Sequence, residues 1–142
     1  MKASARNQFN GTVSEVRIGS VNTEVHLLLK GGETIVATIT KESAETMGIK
    51  TGKEVIALVK APQIIIVSDF GGYRISARNQ LPGAVTQIKP GVVNSEVDIE
   101  SKGGEQIAAT VTNDSVETLG LCKGQPATAI FKAGAVILAV AD

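Results

Sequence analysis

The chain has 142 residues, zero formal net charge, 43% hydrophobic residues and one cysteine. A neutral chain has no global field to draw in DNA or an anionic membrane surface, Cys122 alone cannot close an internal disulfide, and no apolar run of 18 residues is present to cross a bilayer. The start, Met1-Lys2-Ala3-Ser4, lacks the apolar core of a signal peptide, so a soluble, cytoplasmic protein is expected. The apolar residues are mainly Val, Ile, Ala and Leu, and the fifteen glycines suit short strands joined by tight turns.

Taken in chain order, Gln8 to Ile18 places Val13, Val16 and Ile18 among polar residues and is predicted as a strand. Val25, Leu27 and Leu29 alternate with Glu24, His26 and Leu28 to give a second strand. Lys30-Gly31-Gly32-Glu33 then reads as a hairpin turn of the primed type, in which both glycines take positive φ. Ile35, Ala37 and Ile39 form the return strand. Thr40 is predicted to cap a short helix from Lys41 to Met47, with Gly48 as its left-handed terminator. Glu54 to Lys60 and Gln63 to Val67 are two further apolar strands. Five strands with a short helix between the third and fourth is the OB-like plan.

The chain then repeats itself. Ser4-Ala5-Arg6-Asn7-Gln8 recurs as Ser76-Ala77-Arg78-Asn79-Gln80, and Lys30-Gly31-Gly32-Glu33 recurs as Lys102-Gly103-Gly104-Glu105. Aligning residues 4–70 with 76–142 needs no gap and gives 29 identities in 67 positions, far beyond chance. The expected architecture is all-β: two tandem OB-like five-stranded barrel modules, each with one short helix, at 1–68 and 74–142, joined by a linker at 69–73. Modules this small contribute little net stability alone, so they are expected to pack on each other and on further chains.

Duplication supplies an internal test, because a function present in both modules should use residues present in both. His26 becomes Asp98, and Cys122 corresponds to Lys50, so neither passes. His26 reads as a solvated strand residue and Cys122 as a small buried apolar one. One His and one Cys make no nitrogen or sulfur set for a transition metal, no Asp-rich loop suggests calcium, and no nucleophile–base pair recurs. The chain is therefore read as a binding protein, not an enzyme, with no catalytic cofactor and no metal cation. What does recur is a set of hydrogen-bond donors: Arg6/Arg78, Lys60/Lys132, serines, threonines and the backbone at a helix start. Core positions drift among equivalents, as in Leu27/Ile99, whereas these polar identities are kept. Arg gives directed bidentate donation and Lys a point charge, a combination suited to a deprotonated tetrahedral dianion such as molybdate, tungstate or sulfate. A protonated anion would want an acceptor that this set lacks. Turn and cap chemistry alone would keep Lys-Gly-Gly-Glu and Gly48.

Ser-Ala-Arg-Asn-Gln followed by Gly-x-Val, Val-Asn-x-Glu-Val, Gly-Gly-Glu, Ile-Thr-x-x-Ser and Lys-Ala resembles the Mop module of molbindins and of some molybdate-sensing regulators and transporter ATPases. The resemblance covers nearly the whole chain, twice, as in a di-Mop molbindin. It implies molybdate, and with it tungstate, held between modules, six modules per assembly, and hence a homotrimer of two-module chains. Carried over by position, it implies a main site of Ser4, Ala5, Arg6, Asn7, Lys60 and Ala61, repeated as Ser76, Ala77, Arg78, Asn79, Lys132 and Ala133. Thr40 and Ser43, with Thr112 and Ser115, join as neighbouring donors, and Val21-Asn22 and Val93-Asn94 as a second class of site. Lys41 becoming Asn113, Lys53 becoming Gln125 and Pro62 becoming Gly134 put equal affinities in doubt. An OB-fold nucleic-acid binder would need a basic groove with stacking aromatics, and the chain has four aromatic residues. A purely structural assembly module is the other alternative. Without a helix-turn-helix or ATP-binding segment to read out a signal, storage, buffering and homeostasis of intracellular molybdenum is favoured over sensing.

Overall fold

The computed structural model describes residues 1–142 and contains two five-stranded antiparallel sheets. The first half supplies β1 (Asn7–Ile18), β2 (Asn22–Leu29), β3 (Thr34–Thr40), α1 (Lys41–Thr46), β4 (Glu54–Val59) and β5 (Ile65–Val67). The second supplies β6 (Asn79–Pro90), β7 (Asn94–Ser101), β8 (Gln106–Thr112), α2 (Asn113–Leu119), β9 (Pro126–Phe131) and β10 (Ile137–Ala139). The alternation read from sequence decides what each strand buries: Thr23, Val25, Leu27 and Leu29 of β2 point inward and the residues between them outward. A register shift between Val13 and Glu15, repeated between Val85 and Gln87, curls the long first strand of each half.

Each sheet takes its fifth strand from the other half. The orders are β10-β4-β1-β2-β3 and β5-β9-β6-β7-β8. After β4 the segment expected as one strand from Gln63 splits into a 3-10 turn, Ala61–Gln63, and the short β5. Gln63 N–H donates to Lys60 O and Ile64 N–H to Ala61 O, which turns the chain away from its own sheet. Ile65 then pairs with Ile130 on β9, and Ile137 pairs with Leu58 on β4. The apolar interior is accordingly one cluster drawn from both halves, with Phe9 stacked on Phe131 at a ring-centroid distance of 6.4 Å.

The helix expectations hold in outline. Thr40 and Thr112 accept from the backbone N–H of Ser43 and Ser115, and Gly48 and Gly120 have φ of 63° and 60°. The hairpin expectation is corrected. Only Gly32 (φ 91°) and Gly104 (φ 92°) are left-handed, and Leu29 N–H reaches Glu33 O while Gly32 N–H reaches Leu29 O. This is a three-residue loop with glycine at its bulge position, not a primed two-residue turn. The first glycine of each loop is kept for a different reason: a Cβ on Gly31 would lie 1.9 Å from Gly103 O, so the two hairpin tips meet backbone to backbone. Cys122 is also corrected; it is exposed rather than buried. His26 is half-buried and bonded to Glu24 instead of freely solvated.

At the meeting of the tips, Ser101 Oγ donates to Glu33 Oε1 at 2.6 Å and accepts from Glu105 N–H at 3.0 Å. Burial, and after it the negative charge of Glu33, pushes the Glu105 carboxyl above its ordinary range.

Two outcomes are expected. Gly31→Ala should destabilise the fold by about 1–3 kcal/mol through overpacking, seen as a lower urea midpoint, while Gly134→Ala, with nothing within 4 Å of the added carbon, should not. Because the fold penalises the ionised form of Glu105, the penalty is present above its folded pKa and relieved as pH falls. Glu105→Gln should therefore raise the melting temperature at neutral pH, with the gain shrinking in mild acid.

Candidate functional site

The strand ends that begin β1 and finish β4 bring two of the retained segments together. Asn7 pairs with Val59, which puts Arg6 and Lys60 side by side, and Asn79 with Phe131 does the same for Arg78 and Lys132. Each group lies against the other half. The 3-10 turn after Lys60 packs on β8, and the turn after Lys132 packs on β3. Ala61 and Ala133 are the buried residues of those turns, so their small side chains serve close packing between halves. Ser4, Arg6 and Lys60 are exposed and Ala5 half-buried, and the second copy repeats this pattern at Ser76, Arg78, Lys132 and Ala77.

The side chains of Asn7 and Asn79 bond the backbone of the opposite half. Asn7 Nδ2 donates to Ala108 O at 2.8 Å and Val59 O at 3.2 Å, and Asn7 Oδ1 accepts from Ala108 N–H at 2.7 Å. Asn79 makes the equivalent pair with Val36, at 2.8 and 2.7 Å. Since β8 and β3 are the free edges of their sheets, each amide acts as one more residue of strand. These buried amides are spent on the backbone, so each side chain clamps one half to the other.

Each arginine meets a carboxylate across the same boundary. Arg6 Nη1 lies 2.6 Å from Glu96 Oε1, and Arg78 Nη2 lies 2.7 Å from Glu24 Oε1. Arg78 hydrogen-bonds Glu24 and holds its carboxyl below the ordinary range against the cost of burial, helped by His26. For Glu96 burial pushes upward, but Asp98, Lys89 and the charge of Arg6 together bring it below that range. Asp98 is pushed up, by burial and then by Glu96. Around Arg6, the side chains of Lys89, Glu96, Asp98 and Gln106 line a cavity of about 190 Å³. A groove of about 810 Å³ on the outer face of the first sheet contains none of the predicted site residues. The glutamates are functional candidates that the sequence reading passed over. Both stand in the Val-Asn-x-Glu-Val segment, identical in the two copies, so the signal was present.

The remaining predicted donors form a separate pair of groups. Asn22 pairs with Thr40 and Asn94 with Thr112, so Val21-Asn22 sits at the start of α1 and Val93-Asn94 at the start of α2. Lys41 N–H already donates to Val21 O, and Thr40 Oγ1 both receives Ser43 N–H and donates to Ser43 Oγ at 2.8 Å. Asn113 N–H, Thr112 and Ser115 repeat that arrangement. Each helix start is thus a capped turn, with Thr40 and Thr112 bonded to Ser43 and Ser115. The two copies differ in one respect. Asn113 ties the β6–β7 loop through Gly91 O and Val92 O and takes Ser95 Oγ at 2.5 Å, whereas the equivalent Thr23 hydroxyl is buried without a partner.

If the asparagines are clamps, Asn7→Ala strands a buried N–H and C=O and should cost about 2–4 kcal/mol of stability. Chemical denaturation should show that loss, while anion affinity of the folded variant stays at the parental value.

The TOBE domain family matches residues 3–66 and 75–138. The chain aligns with a crystal structure of the cytoplasmic molybdate-binding protein ModG with molybdate bound, at a TM-score of 0.97 and 49% identity, over 99% of this chain and 100% of that one. It is 44% identical over 140 residues to the molybdenum transport protein ModE of Herbaspirillum seropedicae, covering 99% of this chain and 52% of that protein. It is 43% identical over 140 residues to the molybdenum-pterin-binding protein MopA of Rhodobacter capsulatus, covering 99% and 53%. The chain spans about half the length of these curated relatives. With the domain matched twice and little of the sequence outside the two matches, the chain belongs to the TOBE-domain family.

Proposed function

We propose that the chain is a cytoplasmic binding protein, not an enzyme, that holds molybdate, and tungstate with it, for storage and buffering of molybdenum. The observation that carries this is the pairing of Ser-Ala-Arg with Lys-Ala at adjacent strand ends, twice, each group set against the other half of the chain. Similarity to ModG over the full length of both chains supports the choice of ligand. Each main site is read as Ser4, Ala5, Arg6, Lys60 and Ala61 or its repeat Ser76, Ala77, Arg78, Lys132 and Ala133. In this reading the modules are 1–68 and 74–142, with 69–73 between them, and three chains assemble to bring six modules together.

The chemistry agrees with a fully deprotonated dianion. The nearby carboxylates could in principle accept a proton from phosphate, but Glu24 and Glu96 are both engaged by cations. A second reading, regulation, is favoured by one observation: relatives about twice as long include the DNA-binding transcriptional dual regulator ModE of Escherichia coli, 37% identical over 140 residues. A sensing chain would need a partner to act on.

Equilibrium dialysis with elemental analysis against molybdate, sulfate and phosphate tests the proposal, together with light scattering for the trimer. Arg6→Ala should weaken molybdate binding about tenfold or more, the loss expected of a charge-assisted pair worth roughly 1.5–3 kcal/mol. Arg6→Lys should restore only part of it, since the ammonium returns charge without the fork. A parent protein that ignores molybdate while taking up zinc or calcium tightly would overturn the reading.

A further inference from the structure

A surface built to hold a dianion would be expected to exclude carboxylates, yet two of them stand in contact with the arginines. Glu24 and Glu96 lie mid-strand on β2 and β7, on the outward face, with side chains only 23% and 15% exposed. Their arginines come from the opposite half and are about half exposed. Each guanidinium gives one Nη to the carboxylate, so an anion taken up by its remaining donors would sit within a few ångströms of the glutamate charge. At that range, in a half-buried setting, repulsion between a dianion and a carboxylate outweighs the gain from holding an arginine in one rotamer.

We propose that Glu24 and Glu96 are internal counter-ions that compete with the incoming oxyanion for Arg78 and Arg6, and so hold its affinity low enough for release. This rests on the reading that the two arginines contact the anion. Without ligand, each ion pair ties the halves together; with ligand, the guanidinium is shared or withdrawn. The two copies are not equal in what the glutamate keeps afterwards. Lys89 Nζ lies 3.3 Å from Glu96 Oε2 and 3.7 Å from Asp98 Oδ2, so Glu96 retains a cation when Arg6 turns to the anion. Arg17, the repeat partner of Lys89, is bonded to Glu15 instead, which leaves Glu24 with His26 alone. Freeing Arg78 is therefore costlier than freeing Arg6.

Calorimetric titration of sodium molybdate into the full chain, as parent, Glu24→Gln and Glu96→Gln, decides the matter. Glutamine keeps the shape and one acceptor while removing the charge. Affinity should rise about tenfold or more in Glu24→Gln and by a smaller factor in Glu96→Gln. Without anion the variants should melt lower than the parent, and saturating molybdate should close that gap. Folded variants with unchanged or weaker affinity would overturn the proposal and make the glutamates struts. Should Glu24→Gln fail to fold, a gain in Glu96→Gln supports the proposal and no gain overturns it. A parent that takes up no molybdate would instead bring down the functional reading itself, and this proposal with it.

Discussion

Neither half of this chain can finish its own sheet. At one end, β4 would expose a row of backbone donors and acceptors if β10 did not arrive from the far end of the chain. At the other, β3 and β8 are covered by the opposite half, which supplies a 3-10 turn and an asparagine amide that stands in for a strand. Backbone groups buried without partners are costly, and here that requirement is met only across the boundary. The shared core, the Phe9–Phe131 stack and the touching hairpin tips all follow from it.

The same boundary organises the charges. Ser-Ala-Arg enters the seam because the next residue, Asn7 or Asn79, is fastened to the opposing edge strand. Lys-Ala enters it because the turn that redirects the exchanged strand begins there. The arginine therefore faces a strand of the other half, where it meets a glutamate. Fold and site are two uses of one seam, which explains why the segments that look most like ligand motifs also carry structural bonds.

Much of this was legible in the sequence. The two-residue alternation at Val25, Leu27 and Leu29, the threonine caps and the glycine terminators each follow from local rules that nothing distant overrides. The strand exchange left no trace, because a strand closing its own sheet and a strand closing its copy's sheet meet equivalent residues: Ile137 on Leu58 repeats Ile65 on Ile130. Gly31 was overdetermined, its identity already accounted for by a turn, so the approach of Gly103 could not be heard over it. The clamp made by Asn7 could not be foreseen because its partner is main chain, and main chain has no sequence. Glu24 and Glu96 were visible as repeats, but a donor-only picture of anion binding gave carboxylates no place.

The exchanged strands also bear on how such a chain can arise. A lone ancestral module of this kind would have had to borrow its last strand from a second molecule, and its folding would have depended on protein concentration. Joining two modules through a short segment turns that encounter into an intramolecular one, at an effective concentration set by tether length instead of by expression. The strand exchange then no longer depends on meeting a second molecule. It also releases the two halves from identity, since each now has a fixed and known partner. The halves have diverged at His26 and Asp98 and at Lys41 and Asn113, each change set against a partner that is always the same.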